Sequence, residues 1–289
     1  MAIGINAKAE SAGFKIVMDA AGELPAKYRD DPRFSLVPMK LRVGEEELHD
    51  DGTLDQVELL EKIAASPEAP GSACPSPADF ADACAGGAER IYLITVSERL
   101  SGSYQSAAIG AEMFLEEHPE AKTHVFNSKS TSVGETLVLL KILELEKKGL
   151  SFEEVIEETE KYIDSCRTFF VLDNLETLRK NGRLSGLKGV AAKLLSIKPI
   201  CASTEEGEIT QLDAARGTKK ALAVMIDYIA KKVGDAPCVI GISHCNCPKR
   251  MDYVRHMLKE RLDVKIFVTQ MTGGLSSLYA NDGGIIVVV

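Results

Sequence analysis

The sequence predicts an α/β protein in two parts, a mostly parallel sheet with flanking helices followed by a mixed sheet with helices. Three observations carry that reading. Between Phe14 and Lys148, short β-branched or aromatic runs alternate with stretches of helical periodicity, the pattern of successive βαβ units. At Ser151 a capping-box pair with Glu154 opens a second cycle of elements. Within that cycle, Ile197 to Ala202 and Gly207 to Asp213 face each other across a Glu-Gly turn, as an antiparallel hairpin would. We assign residues 14–160 to an N-terminal domain and 161–289 to a C-terminal one.

Residues 1 to 13, rich in Ala, Gly and Lys, read as a frayed leader. Phe14 to Met18 is a first strand, ended by the turn residues Asp19 to Pro25. Phe34 to Val43 is a second strand region that Gly44 folds back onto Glu47 to His49. Leu54 to Ala64 is helical, with Val57, Leu59, Leu60 and Ile63 on one side. After the loop Gly71 to Pro77, Ser76, Pro77 and Asp79 mark a helix start, and that helix runs to about Ala85. Ile91 to Val96 is a buried strand, a helix begins near Ser101 or Gly102, Thr123 to Phe126 is a strand, and Val133 to Lys148 is a helix stopped at Gly149.

The second cycle starts with a helix reaching Cys166. Thr168 to Asp173 is a strand, Leu175 to Lys180 a short helix broken by Asn181-Gly182, and Leu187 to Ser196 a small apolar stretch. Beyond the hairpin, helices over Thr218 to Val233 and Lys249 to Leu262 alternate with strands at Cys238 to Ser243, Val264 to Gln270 and Gly284 to Val289. Gly273 to Gly284, with four glycines, two serines and Asn281-Asp282, is expected as a loop. It is either a turn before the last strand or a segment that closes a ligand site.

Composition narrows the function. With 289 residues, 45% of them hydrophobic, the chain can bury a large core. A net charge of −9 without a Lys/Arg stripe argues against nucleic acid or an anionic membrane surface. No apolar run approaches the ~18 residues of a membrane span. The beginning of the chain lacks a basic segment followed by an apolar core, and seven cysteines are scattered without pattern, so we expect no secretory signal and a reducing cytoplasm.

The stretch Arg90 to Ala108 carries the strongest functional signal. A strand that feeds a hydroxyl-rich turn and then a helix aims free N–H groups and the positive end of a helix dipole at one point. Ser101 is also a favoured helix cap, and on this stretch alone that role suffices. Two further junctions have the same character, Gly71 to Pro77 and Asn127 to Ser132, and in a parallel sheet such loops gather at the carboxyl ends of the strands. These turns offer hydroxyls and N–H groups, with Arg99 and Lys129 the only cations. They suit a monoanionic carboxylate better than a phosphate, and neither GxxxxGK[ST] nor GxGxxG occurs.

Other constellations fail. His244-Cys245-Asn246-Cys247 lacks a fourth ligand at zinc spacing, so no metal is expected. The five histidines form no recognisable triad with a serine, and GxSxG is absent.

Over residues 14 to 289 the chain resembles the DegV family. The most specific match is Val96-Ser97-Glu98-Arg99-Leu100-Ser101-Gly102-Ser103-Tyr104-Gln105-Ser106, against the family's Ser-Ser-x-Leu-Ser-Gly-Thr-Tyr-x-Ser. Ser72-Ala73-Cys74-Pro75-Ser76-Pro77 matches its Thr-Ser-Gln-Pro-Ser-Pro loop. Asp19 to Pro25 matches its first strand-end signature, and Leu175 to Leu184 and Ile197-Lys198-Pro199-Ile200 match its Leu-Gly-Gly-Arg-Ile and Ile-Lys-Pro stretches.

The resemblance implies the two-domain DegV-like (EDD) fold and a long-chain fatty acid as bound ligand, with its tail in an apolar tunnel and no cofactor. It also implies a non-catalytic role as the acyl-carrying subunit that presents this ligand to a separate fatty acid kinase. By the same resemblance Ser72, Ser101 and Gly102 fall at the carboxylate-binding positions, and Arg183 at an arginine that faces the kinase partner. Ser97, Ser130 and Ser277 are further candidates for the head-group loops. The chain departs from the pattern at Ala20 and Ala21, which lack hydroxyls, at Asn127 in place of aspartate, and at the terminal His-x-Gly-Pro-Gly, where Tyr279 takes the histidine position. The alternatives are a serine hydrolase acting on acyl esters through Ser101 or Ser72, and a regulator that binds no lipid.

Overall fold

The structure, a computed structural model, describes residues 13–184 and 196–289. The expected leader, save Gly13, and the stretch Leu187 to Ser196, save its last residue, lie outside the described residues. Strand β1 (Phe14–Asp19) pairs in parallel with β2 (Phe34–Val37), which ends at Pro38, a residue with no N–H for a ladder. The chain continues as β3 (Met39–Val43) and folds back as β4 (Glu46–Asp50), so the strand region expected over Phe34 to Val43 is divided between two sheets. Helix α1 (Gln56–Ala65) begins at Asp55, whose side chain accepts from Glu58 N. A short β5 (Gly71–Ala73), inside the expected loop, pairs with β3.

Helix α2 (Pro77–Cys84) starts at the Ser76–Asp79 capping box. Then follow β6 (Arg90–Thr95), α3 (Ser103–Glu117), β7 (Lys122–Asn127), α4 (Val133–Lys147) and α5 (Phe152–Ser165), the last opened by the capping box of Ser151 and Glu154. The rest of the chain forms β8 (Thr168–Val171), α6 (Glu176–Lys180), β9 (Ile197–Ser203), β10 (Ile209–Arg216), α7 (Thr218–Val233) and β11 (Cys238–His244). It closes with α8 (Pro248–Arg261), β12 (Val264–Met271), α9 (Gly274–Ala280) and β13 (Ile285–Val288).

Among the described residues three sheets result. The first, in order β2-β1-β6-β7, is parallel throughout. The second, in order β10-β9-β8-β13-β11-β12, is mixed, its one parallel pairing being β11 with β12. A small antiparallel sheet, β4-β3-β5, stands beside them. Core residues of α4 and α5 cover one face of the parallel sheet and those of α2 and α3 the other, while α7 and α8 cover one face of the mixed sheet. α4 also reaches β11, β12 and β13, which explains why its first seven residues are all buried.

The segment expected as a loop over Gly273 to Gly284 contains α9 instead. Its glycines mislead because tertiary contacts cap it. Gly273 N donates to Glu23 Oε1 at 3.1 Å and Leu275 N to Asp50 Oδ2 at 2.6 Å, so two carboxylates from the N-terminal half satisfy the free N–H groups of its first turn. Leu275 and Leu278 then bury against the small sheet and α1.

Glu23 is the main tie between the two halves. Its carboxylate accepts from Ser132 Oγ at 2.8 and 2.9 Å, from Gln270 Nε2 at 3.0 Å and from Gly273 N. Desolvation still outweighs these bonds and pushes its carboxyl up to about 7; Asp50 is raised for the same reason to about 6. A carboxyl that is easier to protonate in the folded than in the unfolded chain stabilises the fold fully below its unfolded value and loses that contribution as pH rises through its folded value. Thermal unfolding followed by circular dichroism is therefore expected to show a midpoint lower by roughly a few degrees at pH 8 than at pH 5. In Glu23→Gln the slope over that window flattens.

Candidate functional site

The hydroxyl-rich turns of the parallel sheet converge on a cavity of about 320 Å³ that also touches the small sheet, α9 and one face of the mixed sheet. That volume is at the lower end for small-molecule sites. Its walls are largely apolar, including Met39, Leu100, Phe170, Leu172, Ile209 and Ile286. Along β8, Thr168 and Phe170, with Leu172 just beyond the strand, line it, whereas Phe169 and Val171 turn into the core under α7 and α8.

One end of the cavity gathers Ser72 from β5, Cys74, Ser101 and Gly102 ahead of α3, Arg183, and Tyr279 from α9. Ser72 Oγ and Tyr279 Oη lie 2.9 Å apart; one donates to the other, so one proton of the pair stays free for a ligand. Ser101 Oγ accepts from Ser103 N at 3.2 Å, at the first residue of α3, and its own proton has no acceptor among the described residues. Arg183 donates from Nε to Leu100 O at 3.2 Å and from Nη1 to Asn181 O at 2.7 Å, and its guanidinium lies 5.7 Å from the centre of the Tyr279 ring. Two hydroxyl protons with a half-buried guanidinium beside them form a receptor for one small anion.

Of the residues singled out by sequence, Ser72, Ser101, Gly102, Tyr279 and Ser130 line this cavity. Arg183, expected to face a partner, lines it too. Ser97 and Ser277 do not. Ser97 is fully buried and donates to Gly207 O at 2.9 Å. Ser277 is equally buried, 3.0 Å from Gln56 Nε2 and 2.7 Å from Thr272 Oγ1, in a network that binds α1 to the C-terminal segment. From the same glycine-rich segment it is Ser276 that reaches the cavity.

Sequence reasoning missed the carboxylate that shapes the site. Asp19, fully buried at the end of β1, accepts from Ala21 N at 3.0 Å, from Val96 N at 3.1 Å and from Ser103 Oγ. It thereby fixes both ends of the Val96 to Gly102 turn. Beside it Glu135 is also fully buried, and neither of its oxygens has a hydrogen-bond partner among the described residues. Burial, then the neighbouring Asp19 charge, raises its carboxyl well above the usual range. Gly22 makes room for it: a Cβ there would lie 2.7 Å from Glu135 Cβ and 2.8 Å from Met18 Sδ. The sequence signals were an acid at a strand end, which also reads as turn punctuation, and its place at the head of the strand-end signature that Asp19 to Pro25 resembles.

His244-Cys245-Asn246-Cys247 forms a tight turn in which Cys247 N donates to His244 Nδ1 at 3.3 Å. Among the described residues no group of three His, Cys, Asp or Glu is placed to hold a metal ion. No histidine is among the residues that line the cavity.

The DegV family model, described as that of an uncharacterised protein, matches residues 13–288. A DegV domain-containing protein of Streptococcus pyogenes serotype M1 is 35% identical over 275 residues, 94% of this chain and 98% of the relative. Among solved structures, a DegV family protein of Ruminococcus gnavus with vaccenic acid has a TM-score of 0.92 at 46% identity, covering 96% of this chain and 99% of its own. The Streptococcus pneumoniae Fatty Acid Kinase (Fak) B3 protein, loaded with linoleic acid, has a TM-score of 0.84 at 34% identity, covering 95% and 98%. A DegV family protein of Eubacterium eligens, loaded with heptadecanoic acid, has a TM-score of 0.87 at 29% identity, covering 95% and 98%.

Asp19→Ala leaves two N–H groups and the Ser103 hydroxyl without their acceptor, each worth about 1–3 kcal/mol when buried. Urea unfolding is expected to show a loss of roughly 2–5 kcal/mol. A loss under about 1 kcal/mol would show that the turn does not depend on this carboxylate.

Proposed function

The chain belongs to the DegV family, and on that premise we propose that it binds one long-chain fatty acid and presents it to a separate fatty acid kinase. The observation that carries the reading is the cavity itself, largely apolar, with the hydroxyls of Ser72, Ser101 and Tyr279 and the Arg183 guanidinium among its lining. Burial of the tail supplies most of the affinity, about 0.8 kcal/mol per methylene group, and the hydroxyls of Ser72, Ser101 and Tyr279 fix the carboxylate. Tyr279 takes the place of an imidazole. Its phenol donates or accepts through one atom.

The protein acts as a carrier, and phosphoryl transfer belongs to the kinase. The relatives crystallised with vaccenic, heptadecanoic and linoleic acid, together with the Fak B3 relative, support this division of labour. Arg183 stands where the head-group end meets the segment that follows α6, so it serves the carboxylate and the approach of the kinase alike. We place the protein in the cytoplasm, where such a kinase has access to nucleotide. No helix among the described residues is long and apolar enough to cross a membrane.

Titration of lipid-stripped protein with a long-chain fatty acid tests the assignment. Ser101→Ala is expected to weaken binding by about 1–3 kcal/mol, the value of a hydrogen bond to a charged group, and Tyr279→Phe by a similar amount at nearly unchanged melting temperature. Unchanged affinity in both variants would remove the carboxylate from this end of the cavity. If Ser101 or Ser72 were instead a hydrolytic nucleophile, a fluorophosphonate would label it.

A further inference from the structure

The cavity has a second polar end. Leu172 marks the first end, in one cluster with Tyr279 and Ala280 of α9. Four residues back along the same strand, roughly 13 Å at strand rise, Thr168 faces the cavity with Ser130 and Ser203 around it. Ser130 Oγ and Thr168 Oγ1 are 2.6 Å apart, and Ser203 Oγ accepts from Thr168 N at 3.1 Å. The three residues are 6%, 5% and 9% exposed, respectively.

This end is closed by the tip of the β9–β10 hairpin. Gly207, at φ +85°, sits so close to the β6–α3 and β7–α4 turns that a Cβ would fall 2.4 Å from Ser97 Oγ and 2.9 Å from Lys129 Cα. Lys129 lines the same end, but its ammonium pairs with Asp164 at 2.6 Å on the exposed side, so it offers no free cation to the interior.

Counting protons shows what is left over. If Thr168 donates to Ser130, the Ser130 hydroxyl has Thr131 O at 3.4 Å, and the Ser203 proton has no acceptor among the described residues. A plain hydrocarbon tail reaching this end would cover a hydroxyl donor without pairing it. A site built to hydrogen-bond a substrate hydroxyl discriminates against the analogue that lacks it.

We propose that the Ser130–Thr168–Ser203 end of the cavity is a recognition site for a hydroxyl on the distal part of the acyl chain, so that the preferred ligand is a hydroxylated long-chain acid. The inference rests on the fatty-acid reading above. A hydroxyl fits better than a second carboxylate because this end holds no unpaired cation among the described residues.

The experiment compares lipid-stripped protein titrated with octadecanoic acid, with octadecanoic acid hydroxylated about ten bonds from its carboxylate to match the roughly 13 Å between the two ends, and with a diacid of about that span. The expected result is that the hydroxy acid binds about three- to tenfold more tightly than the plain acid, the range for one neutral hydrogen bond, and that the diacid binds worst. Ser203→Ala, which removes the unpaired donor, is expected to shrink the preference to within about twofold, and Ser203→Thr, which keeps a hydroxyl at that place, to restore it. Equal or weaker binding of the hydroxy acid, or a preference that survives in Ser203→Ala, overturns the inference and leaves the fatty-acid reading standing. Binding of none of the three overturns that reading itself.

Discussion

The arrangement of this molecule depends on one buried carboxylate at the end of its first strand. Asp19 accepts from the turn after its own strand, from Val96 where β6 ends, and from Ser103 where α3 begins. Removing a carboxylate from water is costly and raises the Asp19 carboxyl, and three donors surround it to offset that cost. The Val96 to Gly102 turn, pinned at both ends, holds Ser101 and Gly102 against the cavity. Glu23 and Asp50 do the corresponding work for α9 and hence for Tyr279. Three carboxylates that never touch the cavity thus set the positions of the groups that do.

How much of this was legible follows from how local each cause is. The capping boxes Ser76–Asp79 and Ser151–Glu154 predicted their helix starts because both partners lie within one turn. The strands of the parallel sheet were legible because burial on both faces imposes a continuous apolar run. α9 was not, because its glycine-rich start is stabilised by Glu23 and Asp50, more than two hundred residues away. The region Phe34 to Val43 hid a change of sheet at Pro38, since periodicity reports burial and not which partner provides it.

The site divides the same way. Hydroxyl-rich turns at strand ends pointed to the cavity, and Ser72, Ser101 and Ser130 line it. Ser97, in the same turn as Ser101, and Ser277, on α9 beside Ser276, carry the same side chain, yet spend it on Gly207 and on the Gln56 network. Nothing local separates a hydroxyl that faces a ligand from one that satisfies a buried backbone, because the difference is made by which distant segment arrives opposite it. Sequence likeness to the DegV family narrowed the choice to Ser72, Ser101, Gly102 and Tyr279, and left open whether a phenol could replace an imidazole there.

The cavity's apolar walls suit an acyl chain, and its Ser72, Ser101 and Tyr279 hydroxyls suit a carboxylate. Neither a nucleophile with its base nor a nucleotide cradle is part of the cavity's described lining. The central claim is that a free acid, held without a covalent bond, occupies the interior. Mass spectrometry of freshly purified protein, denatured in organic solvent and analysed for both lipid and intact chain, measures this directly. The account predicts a long-chain fatty acid in near-stoichiometric amount together with a chain of unmodified mass; a preparation with no extractable acyl species, or with an acyl group covalently attached to Ser72 or Ser101, would contradict it.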